Sequence, residues 1–453
     1  MSNVVSRYAP SPTGLLHAGN YRTAVFVYLF AKHEGGKFIV RIEDTDKERS
    51  KPEYEENILE TLAWLQLPID EMYRQSEHRS RHRELLEKLV TDDTAYISKE
   101  IPQAPGDREE VIRFRNPGGS VSFADVIHGE ITTDVGDLGD FIVARSFDEP
   151  VFHFAVVVDD ADENVTHVIR GGDHISNTAR QMLIQRALGL PTPLYAHLPL
   201  ILDSDHKKLG KRTGAKAVTE YRDIGILPEA LLNYVAFLGW NPGDEQEYMT
   251  RDELIKEFNL SRVQKGSAVF DEVKLLSVNQ HWMRKLSDEK FLACLDFVNP
   301  ESHEGFTKSF NSEILQKTVP LLKERAKTFK EVREMLSGEL SCFFTEPKLD
   351  KDLLLAKELP WRPGMAITAL NGLLEPINAL KKSISAGETK EIIMPFANAE
   401  EEKMKGGRGA VLWPLRYALS GQERSPDPFT LISILGPEES ISRIRKAIAI
   451  LEG

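Results

Sequence analysis

The segment that decides the fold is Val4-Val5-Ser6-Arg7-Tyr8-Ala9-Pro10-Ser11-Pro12-Thr13-Gly14-Leu15-Leu16-His17-Ala18-Gly19-Asn20. Its apolar start predicts a short strand, which the two prolines end. A helix is predicted from about His17 to Phe30 and stops at Gly35-Gly36. The stretch from Phe38 to Ile42 predicts a second strand. A helix that begins beside the end of the first strand is the nucleotide-binding unit of a doubly wound sheet.

The rest of the chain continues this alternation with one interruption. Ser50 with Glu53 predicts a capping box that opens the next helix. Residues 73–155 are rich in Gly, Pro and Asp, which indicates an insertion between two halves of the sheet. The second half is predicted to hold strands at 155–158, 165–170 and 194–202. Between the last two strands we expect a helix capped by Asn177 and ended by Gly189.

We therefore predict an α/β fold: a doubly wound Rossmann-type domain with an inserted connective α+β domain, followed by an all-α C-terminal domain. Helical spacing without strand alternation after about Ser287 supports the all-α part. The predicted ranges are 1–72 and 156–203 for the two halves of the Rossmann-type domain, 73–155 for the insertion, 204–290 for a region with a lysine-rich loop, and 291–453 for the helical domain.

Composition places the chain among globular proteins. It has 453 residues, 41% apolar and 28% charged, and no apolar run near the ~20 residues that span a bilayer. We expect a cytoplasmic protein, since the N-terminus shows no export-signal pattern. Cys294 and Cys342 lack metal-type spacing, so neither a disulfide scaffold nor a cysteine zinc site is expected. The formal charge of -13 argues against a general nucleic-acid coat protein but allows a local positive binding face.

Gly14, His17 and Gly19 lie where the first helix is predicted to begin. A helix N-terminus offers N–H groups and a positive dipole to a phosphate, and small residues allow close approach. His17 can donate a hydrogen bond to the same group. Taken alone, a His-x-Gly sequence is more often a turn with a satisfied histidine. No GxxxxGK[ST] sequence occurs, so a P-loop is excluded.

The segment 205–214 carries four basic side chains, those of Lys207, Lys208, Lys211 and Arg212, between glycines and after a predicted strand. Lysines on such a loop can stabilise negative charge on a reacting phosphate. A solvated basic turn explains this segment equally well.

Taken together and in this order, these segments resemble the two ATP-handling signatures of class I aminoacyl-tRNA synthetases, and their flanking residues resemble the glutamyl-tRNA synthetase family. The resemblance covers essentially the whole chain. Its main matching stretches are 7–14, 22–24, 41–46, 156–160, 166–171, 197–202, 227–234, 237–240, 268–271, 414–416 and 426–427.

The resemblance implies a ligase that joins L-glutamate to tRNA-Glu through glutamyl-adenylate, with ATP as substrate and Mg2+ expected. It implies a monomer, with an insertion that binds the acceptor end, a stem-contact region at 204–290 and an anticodon-binding helical domain. The implied catalytic residues are His17, Gly19, Lys208 and Lys211. The implied glutamate-binding residues are Arg7, Ala9, Ser11, Glu43, Phe152 and Arg170. The implied ATP-binding residues are Pro10, Thr13, Gly14, His17, Gly19, Asn20, Asp173, His174, Ile201, Lys208 and Lys211.

Charge supports the implied glutamate pocket. Glutamate carries two carboxylates and one ammonium, so two guanidinium groups and one acidic group complement it. Arg7, Arg170 and Glu43 supply those charges. The alternative is that Arg41, Glu43 and Asp44 form a surface ion-pair cluster, which is usually worth less than ~1 kcal/mol.

Three residues depart from the family pattern. Gly210 stands where serine is usual and removes a hydroxyl donor, Phe152 stands where tyrosine is usual, and Gly172 stands where glutamate is usual. The insertion near Ser98 to Asp107 lacks the cysteines that bind zinc in some members, so no zinc is predicted.

Several alternatives stay open. Truncated paralogues that modify a tRNA base lack the helical domain, and glutaminyl-tRNA synthetases would end in β-barrels. An enzyme that also charges tRNA-Gln, or a catalytically silent tRNA-binding paralogue, keeps the same fold. The basic stretch 74–83 could meet tRNA phosphates, although charges at a helix start are more often simply solvated.

Overall fold

The computed structural model describes residues 3–101, 109–210, 216–297, 305–355, 363–401 and 407–453. The chain divides into two compact units. The first comprises Met1–Arg222 and Ile226–Trp282, and the second comprises Asp223–Gly225 and Met283–Gly453. In the described part, no helix is both long and apolar enough to cross a membrane.

The first unit contains three sheets. Its strands are β1 Val5–Tyr8, β2 Lys37–Ile42, β3 Glu71–Arg74, β4 Ala95–Lys99, β5 Glu110–Phe114, β6 Ser120–Asp125, β7 Gly129–Asp134, β8 Phe141–Ser146, β9 Glu149–Pro150, β10 His167–Gly171, β11 Leu194–Leu198, β12 Ile201–Leu202 and β13 Ala268–Val269. A seven-stranded sheet has the order β3-β2-β1-β10-β11-β6-β7, a four-stranded sheet has the order β4-β5-β8-β9, and β12 pairs with β13. Only β7 is antiparallel in the large sheet.

Helices surround these sheets and build the second unit. They are α1 Ala18–His33, α2 Pro52–Trp64, α3 Arg79–Thr91, α4 Phe152–Asp162, α5 Ile175–Leu188, α6 Val218–Asp223, α7 Pro228–Ala236, α8 Arg251–Glu257, α9 Glu272–Lys285, α10 Asp288–Phe297, α11 Ser312–Arg325, α12 Phe329–Ser337, α13 Lys351–Leu354, α14 Pro363–Asn378, α15 Ala386–Glu401, α16 Gly409–Ser420, α17 Pro428–Leu435 and α18 Pro437–Glu452. In its described residues the second unit has only helical elements, which confirms the predicted all-α domain.

The first strand–helix–strand unit is confirmed. β1 pairs in parallel with β2, and α1 connects them and buries most of its residues. Gly35 ends α1 with φ +64°, a conformation that glycine adopts without strain. Since β10 lies on the other side of β1, the strand order reverses there. That reversal is the topological switch point at which doubly wound sheets bind ligands.

The insertion is less separate than predicted. Its segment contributes β6 and β7 to the large sheet, and its own strands share one hydrophobic core with α4 and α5. The predicted boundaries after residues 72, 155 and 290 cut through β3, α4 and α10. The physical reason is that β6 completes a sheet edge beside β11, a pairing that no local sequence pattern reports.

The predicted strand at 155–158 is wrong. These residues lie in α4, where Phe154 to Asp160 are all buried. A short apolar run does not distinguish a buried strand from a buried helix, and here helix packing overrides the β-propensity of three valines.

Two predicted caps and one strand also need correction. α2 begins at Pro52 after Lys51, without a side-chain cap from Ser50, and α5 begins after His174 rather than at Asn177. The predicted strand 194–202 is broken by Pro199, because β11 belongs to the large sheet and β12 to the small one. Gly189 ends α5 as predicted, with φ +69°.

Candidate active site

A cavity of about 710 Å³ opens at the carboxyl ends of β1 and β10. It gathers most of the residues predicted to form the site. Its lining includes the predicted residues Arg7, Ala9, Pro10, Ser11, Thr13, His17, Gly19, Asn20, Glu43, Phe152, Arg170, Asp173, His174, Ile201 and Lys208. Gly14 is not among the lining residues, and Lys211 lies outside the described residues. The individual roles of these residues stay predictions.

Arg7 is held in the cavity wall by a buried carboxylate. Its Nε donates to Asp160 Oδ1 at 2.9 Å and its Nη2 donates to Asp160 Oδ2 at 3.4 Å. Arg41 Nη2 donates to the same Asp160 Oδ1 at 2.8 Å, while its Nη1 donates to Glu163 at 2.7 Å. Because Arg41 is 0% exposed and Glu43 6%, the surface-cluster interpretation is wrong.

Burial sets the protonation of this cluster. Burial alone would raise the pKa of Asp160, but the charges of Arg7 and Arg41 lower it below its usual value. For Glu43 the balance goes the other way. Burial raises its pKa to about 7, against the opposing charges of Arg41 and Arg7. At neutral pH, Glu43 is therefore close to the midpoint of its titration.

Arg170 reaches the cavity from β10. Its Nε donates to His197 Nε2 at 3.1 Å and its Nη2 donates to Thr178 Oγ1 at 2.7 Å. Burial lowers the pKa of Arg170 to about 10, which leaves the guanidinium protonated at neutral pH. Arg7 and Arg170 thus place two cationic groups on adjacent strands.

The segment after β12 forms a tight hairpin. Asp203 Oδ1 accepts from the backbone N–H groups of Asp205 and Lys207, both at 2.9 Å. Lys208 then lies across the cavity mouth, where its Nζ donates to Asp173 Oδ2 at 2.8 Å. Burial alone would raise the pKa of Asp173, but this hydrogen bond lowers it.

Comparison with protein families assigns this site. The family model "tRNA synthetases class I (E and Q), catalytic domain" matches residues 3–104 and 102–277, and the model "Anticodon binding domain" matches residues 283–448. The chain belongs to this synthetase family. Together the two matches extend over nearly all of the sequence.

Relatives of this synthetase span its full length. It is 37% identical to glutamate–tRNA ligase 1 of Syntrophomonas wolfei, over 99% of this chain and 97% of that one. It is 39% identical to glutamate–tRNA ligase 1 of Mesorhizobium japonicum, over 98% and 99%. A crystal structure of a glutamate tRNA ligase from Elizabethkingia meningosepticum, in complex with its amino acid, superposes with a TM-score of 0.84 at 33% identity, over 99% and 100%.

The three departures have different surroundings in this synthetase. The Phe152 ring lies 5.8 Å from the His174 ring, and burial, followed by the charge of Arg170, lowers the pKa of His174 to about 4. A Cβ on Gly172 would lie 3.0 Å from the carbonyl oxygen of Leu198. A Cβ on Gly210 would meet nothing within 4 Å. The backbone therefore has room for a side chain at Gly210 but little at Gly172.

The basic stretch is matched by carboxylates of the synthetase itself. His82 is buried and hydrogen-bonded to Asp159 at 2.7 Å. The arginines Arg74, Arg81 and Arg83 pair with Glu55, Glu84 and Asp148, respectively. These pairs favour the structural interpretation of the stretch over contact with phosphates.

Sequence reasoning missed the groups that hold the two arginines. Asp160 lies in the segment predicted as a strand, and no role was predicted for Asp125 or His197. Their signal was weak, since a polar residue in an apolar run, such as Asp160 after three valines, was the one available indication. In the described residues, no group of three or more His, Cys, Asp or Glu side chains could hold a metal ion.

Proposed function

We propose that this synthetase joins L-glutamate to the 3′ end of tRNA-Glu, with ATP converted to AMP and pyrophosphate through glutamyl-adenylate. The observation that carries the proposal is the shared cavity, in which Arg7, Arg170 and Glu43 lie beside the residues predicted to bind ATP. The names of the full-length relatives support the same substrates.

The free edges of the two arginines suit a dicarboxylate. Asp160 occupies Nε and Nη2 of Arg7, while His197 and Thr178 occupy the same two nitrogens of Arg170. The Nη1 groups remain to donate to substrate carboxylates. Glu43, when ionised, offers a partner to the substrate ammonium. We infer that Ala9, Ser11 and Phe152 complete the glutamate pocket.

The reaction needs no nucleophilic side chain. The glutamate α-carboxylate attacks the α-phosphate of ATP, the bond to the β-phosphate breaks, and pyrophosphate leaves. His17 and Lys208 lie where they can stabilise the phosphate charge, and we propose the same role for Lys211. We infer that Mg2+ enters on the phosphates of ATP, since this ion commonly binds through substrate phosphates.

A hydroxyl of the terminal tRNA ribose then attacks the adenylate carbonyl, and AMP leaves. We infer that residues 73–155 hold the acceptor end, 204–290 contact the stem and 291–453 bind the anticodon. The anticodon-domain match over 283–448 supports the last of these assignments. We further propose that the enzyme acts as a monomer in the cytoplasm.

The test is aminoacylation with labelled glutamate on tRNA-Glu and tRNA-Gln transcripts, side by side, with glutamine and aspartate as control amino acids. We expect glutamate to be joined to tRNA-Glu. Charging of both transcripts would define a non-discriminating enzyme. If both transcripts bind but neither is charged, the chain is the silent paralogue that Gly210 and Phe152 suggest, and the proposal is wrong.

A further inference from the structure

A chain of buried hydrogen bonds ends on Arg170. It begins at the tight connection between β6 and β7, where Asp125 is 4% exposed, and it passes through His197, which is 0% exposed. Neither side chain lines the cavity, so neither would touch a substrate there. Both lie behind the arginine that does.

Asp125 accepts four hydrogen bonds. Its Oδ1 accepts from the backbone N–H groups of Ile127 at 2.9 Å and His128 at 2.8 Å. Its Oδ2 accepts from the backbone N–H of His197 at 3.1 Å and lies 2.7 Å from His197 Nδ1. Burial alone would raise the pKa of Asp125, but the hydrogen bonds from His197 and the turn lower it. An ionised carboxylate only accepts, so Nδ1 of His197 carries a proton.

The other nitrogen of His197 is constrained from the opposite side. Arg170 Nε lies 3.1 Å from His197 Nε2, and a guanidinium nitrogen only donates. Nε2 must therefore be the unprotonated acceptor. Asp125 and Arg170 together select one neutral tautomer, with its hydrogen on Nδ1.

We propose that Asp125 and His197 are positioning residues that aim the Arg170 guanidinium at a substrate carboxylate. This inference rests on the proposed function, in which Arg170 binds glutamate. His197 holds Nε, Thr178 holds Nη2, and the Tyr195 ring lies 5.4 Å from the centre of the guanidinium. The direction of Nη1 follows from these contacts. The β6–β7 connection, which comes from the insertion, thereby supports the glutamate pocket.

Acid should break this chain. Burial lowers the pKa of His197, against the effect of Asp125. The other charged or titratable groups that face His197 are Arg170, His128 and Tyr195, whose ring stacks on it at 6.0 Å. A second proton on His197 would remove the acceptor for Arg170 and place two cations side by side. Glutamate binding should then weaken before ATP binding does.

Two substitutions separate the two ends of the imidazole. The amide nitrogen of His197→Asn can replace the Nδ1 donor to Asp125 but leaves Arg170 without an acceptor. The amide oxygen of His197→Gln can replace the Nε2 acceptor but not the donor. We expect His197→Asn to raise the glutamate KM about 10-fold, as for one lost hydrogen bond to a charged group, and His197→Gln to raise it less.

The readout is ATP–pyrophosphate exchange with tRNA present, with the KM of glutamate and of ATP measured on variants whose thermal unfolding resembles that of the parent. An unchanged ATP KM with a raised glutamate KM supports the proposal. An unchanged glutamate KM in folded His197→Asn overturns it, and so does an equal rise of both KM values.

A second measurement does not depend on activity. In the full-length protein labelled with 15N-histidine, NMR shifts of the His197 ring report its tautomer. We expect a neutral ring with hydrogen on Nδ1, and a ring with hydrogen on Nε2 overturns the proposal even if the variants do not fold. If the parent enzyme fails to exchange pyrophosphate, the proposed function falls, while the tautomer still decides the hydrogen-bond chain.

Discussion

At the scale of single residues, the site is organised by a carboxylate that two arginines share. Asp160 pairs with Arg7 at 2.9 Å and with Arg41 at 2.8 Å, and its side chain is 8% exposed. Removing one member of a buried ion cluster leaves uncompensated charge, which costs far more than the loss of a surface pair. The residue that touches substrate and the residue that stabilises the fold are thus linked through one side chain.

Asp160→Asn should therefore destabilise the protein by about 3 kcal/mol, because Arg7 and Arg41 lose their common counter-ion. Urea unfolding measures the change. The matched control is Asp148→Asn, which removes the exposed partner of Arg83 and should cost less than ~1 kcal/mol. Equal losses in the two variants would contradict the role of burial.

Glu43 should make glutamate binding depend on pH. With a pKa of about 7, Glu43 is mostly protonated below that pH and loses its attraction for the substrate ammonium. The glutamate KM should rise as the pH falls through about 7, while the ATP KM changes little. Exchange assays across this range measure both constants. In Glu43→Gln the glutamate KM should be high at every pH, and a surviving pH dependence would assign the titration to another group.

At the scale of elements, β10 and the hairpin after β12 carry two glycines with different surroundings. The Cβ of a residue at 172 would crowd the Leu198 carbonyl at 3.0 Å, whereas at 210 the space is open. The first site therefore depends on the packing of β10 against β11, and the second does not.

Gly210→Ser should leave the free energy of unfolding within about 0.5 kcal/mol of the parent value, as for most surface changes. Gly172→Ala should lower it, because backbone must move to relieve the contact. Chemical denaturation of both variants tests this contrast. The ATP KM of Gly210→Ser would also show whether the added hydroxyl contributes to phosphate binding.

At the scale of the whole molecule, a net charge of -13 must be reconciled with a polyanionic substrate. A local positive face can bind tRNA phosphates, with counterion release that makes the affinity dependent on salt. The tRNA KM should therefore rise steeply as salt increases, whereas the glutamate KM should change little. Aminoacylation at several salt concentrations tests this, and a flat response of the tRNA KM would mean that phosphate contacts contribute little.

The sequence by itself determined the first strand–helix–strand unit, the all-helical C-terminal part and most of the cavity lining. These features depend on short-range signals. Prolines and glycines end elements, apolar spacing marks faces, and a helix that starts beside a strand places His17 and Gly19 at the nucleotide site. The family resemblance added Arg170, Asp173 and Lys208, which the cavity brings together with them.

Only the tertiary structure decided what holds these residues in place. Arg7 meets Asp160 across 153 residues of chain, and His197 meets Asp125 across 72. The conformation of α4 and the pairing of β6 with β11 are likewise long-range outcomes, since the same valines would suit a buried strand. Local propensity contributes at most about 1 kcal/mol per residue, so packing against distant elements decides such cases.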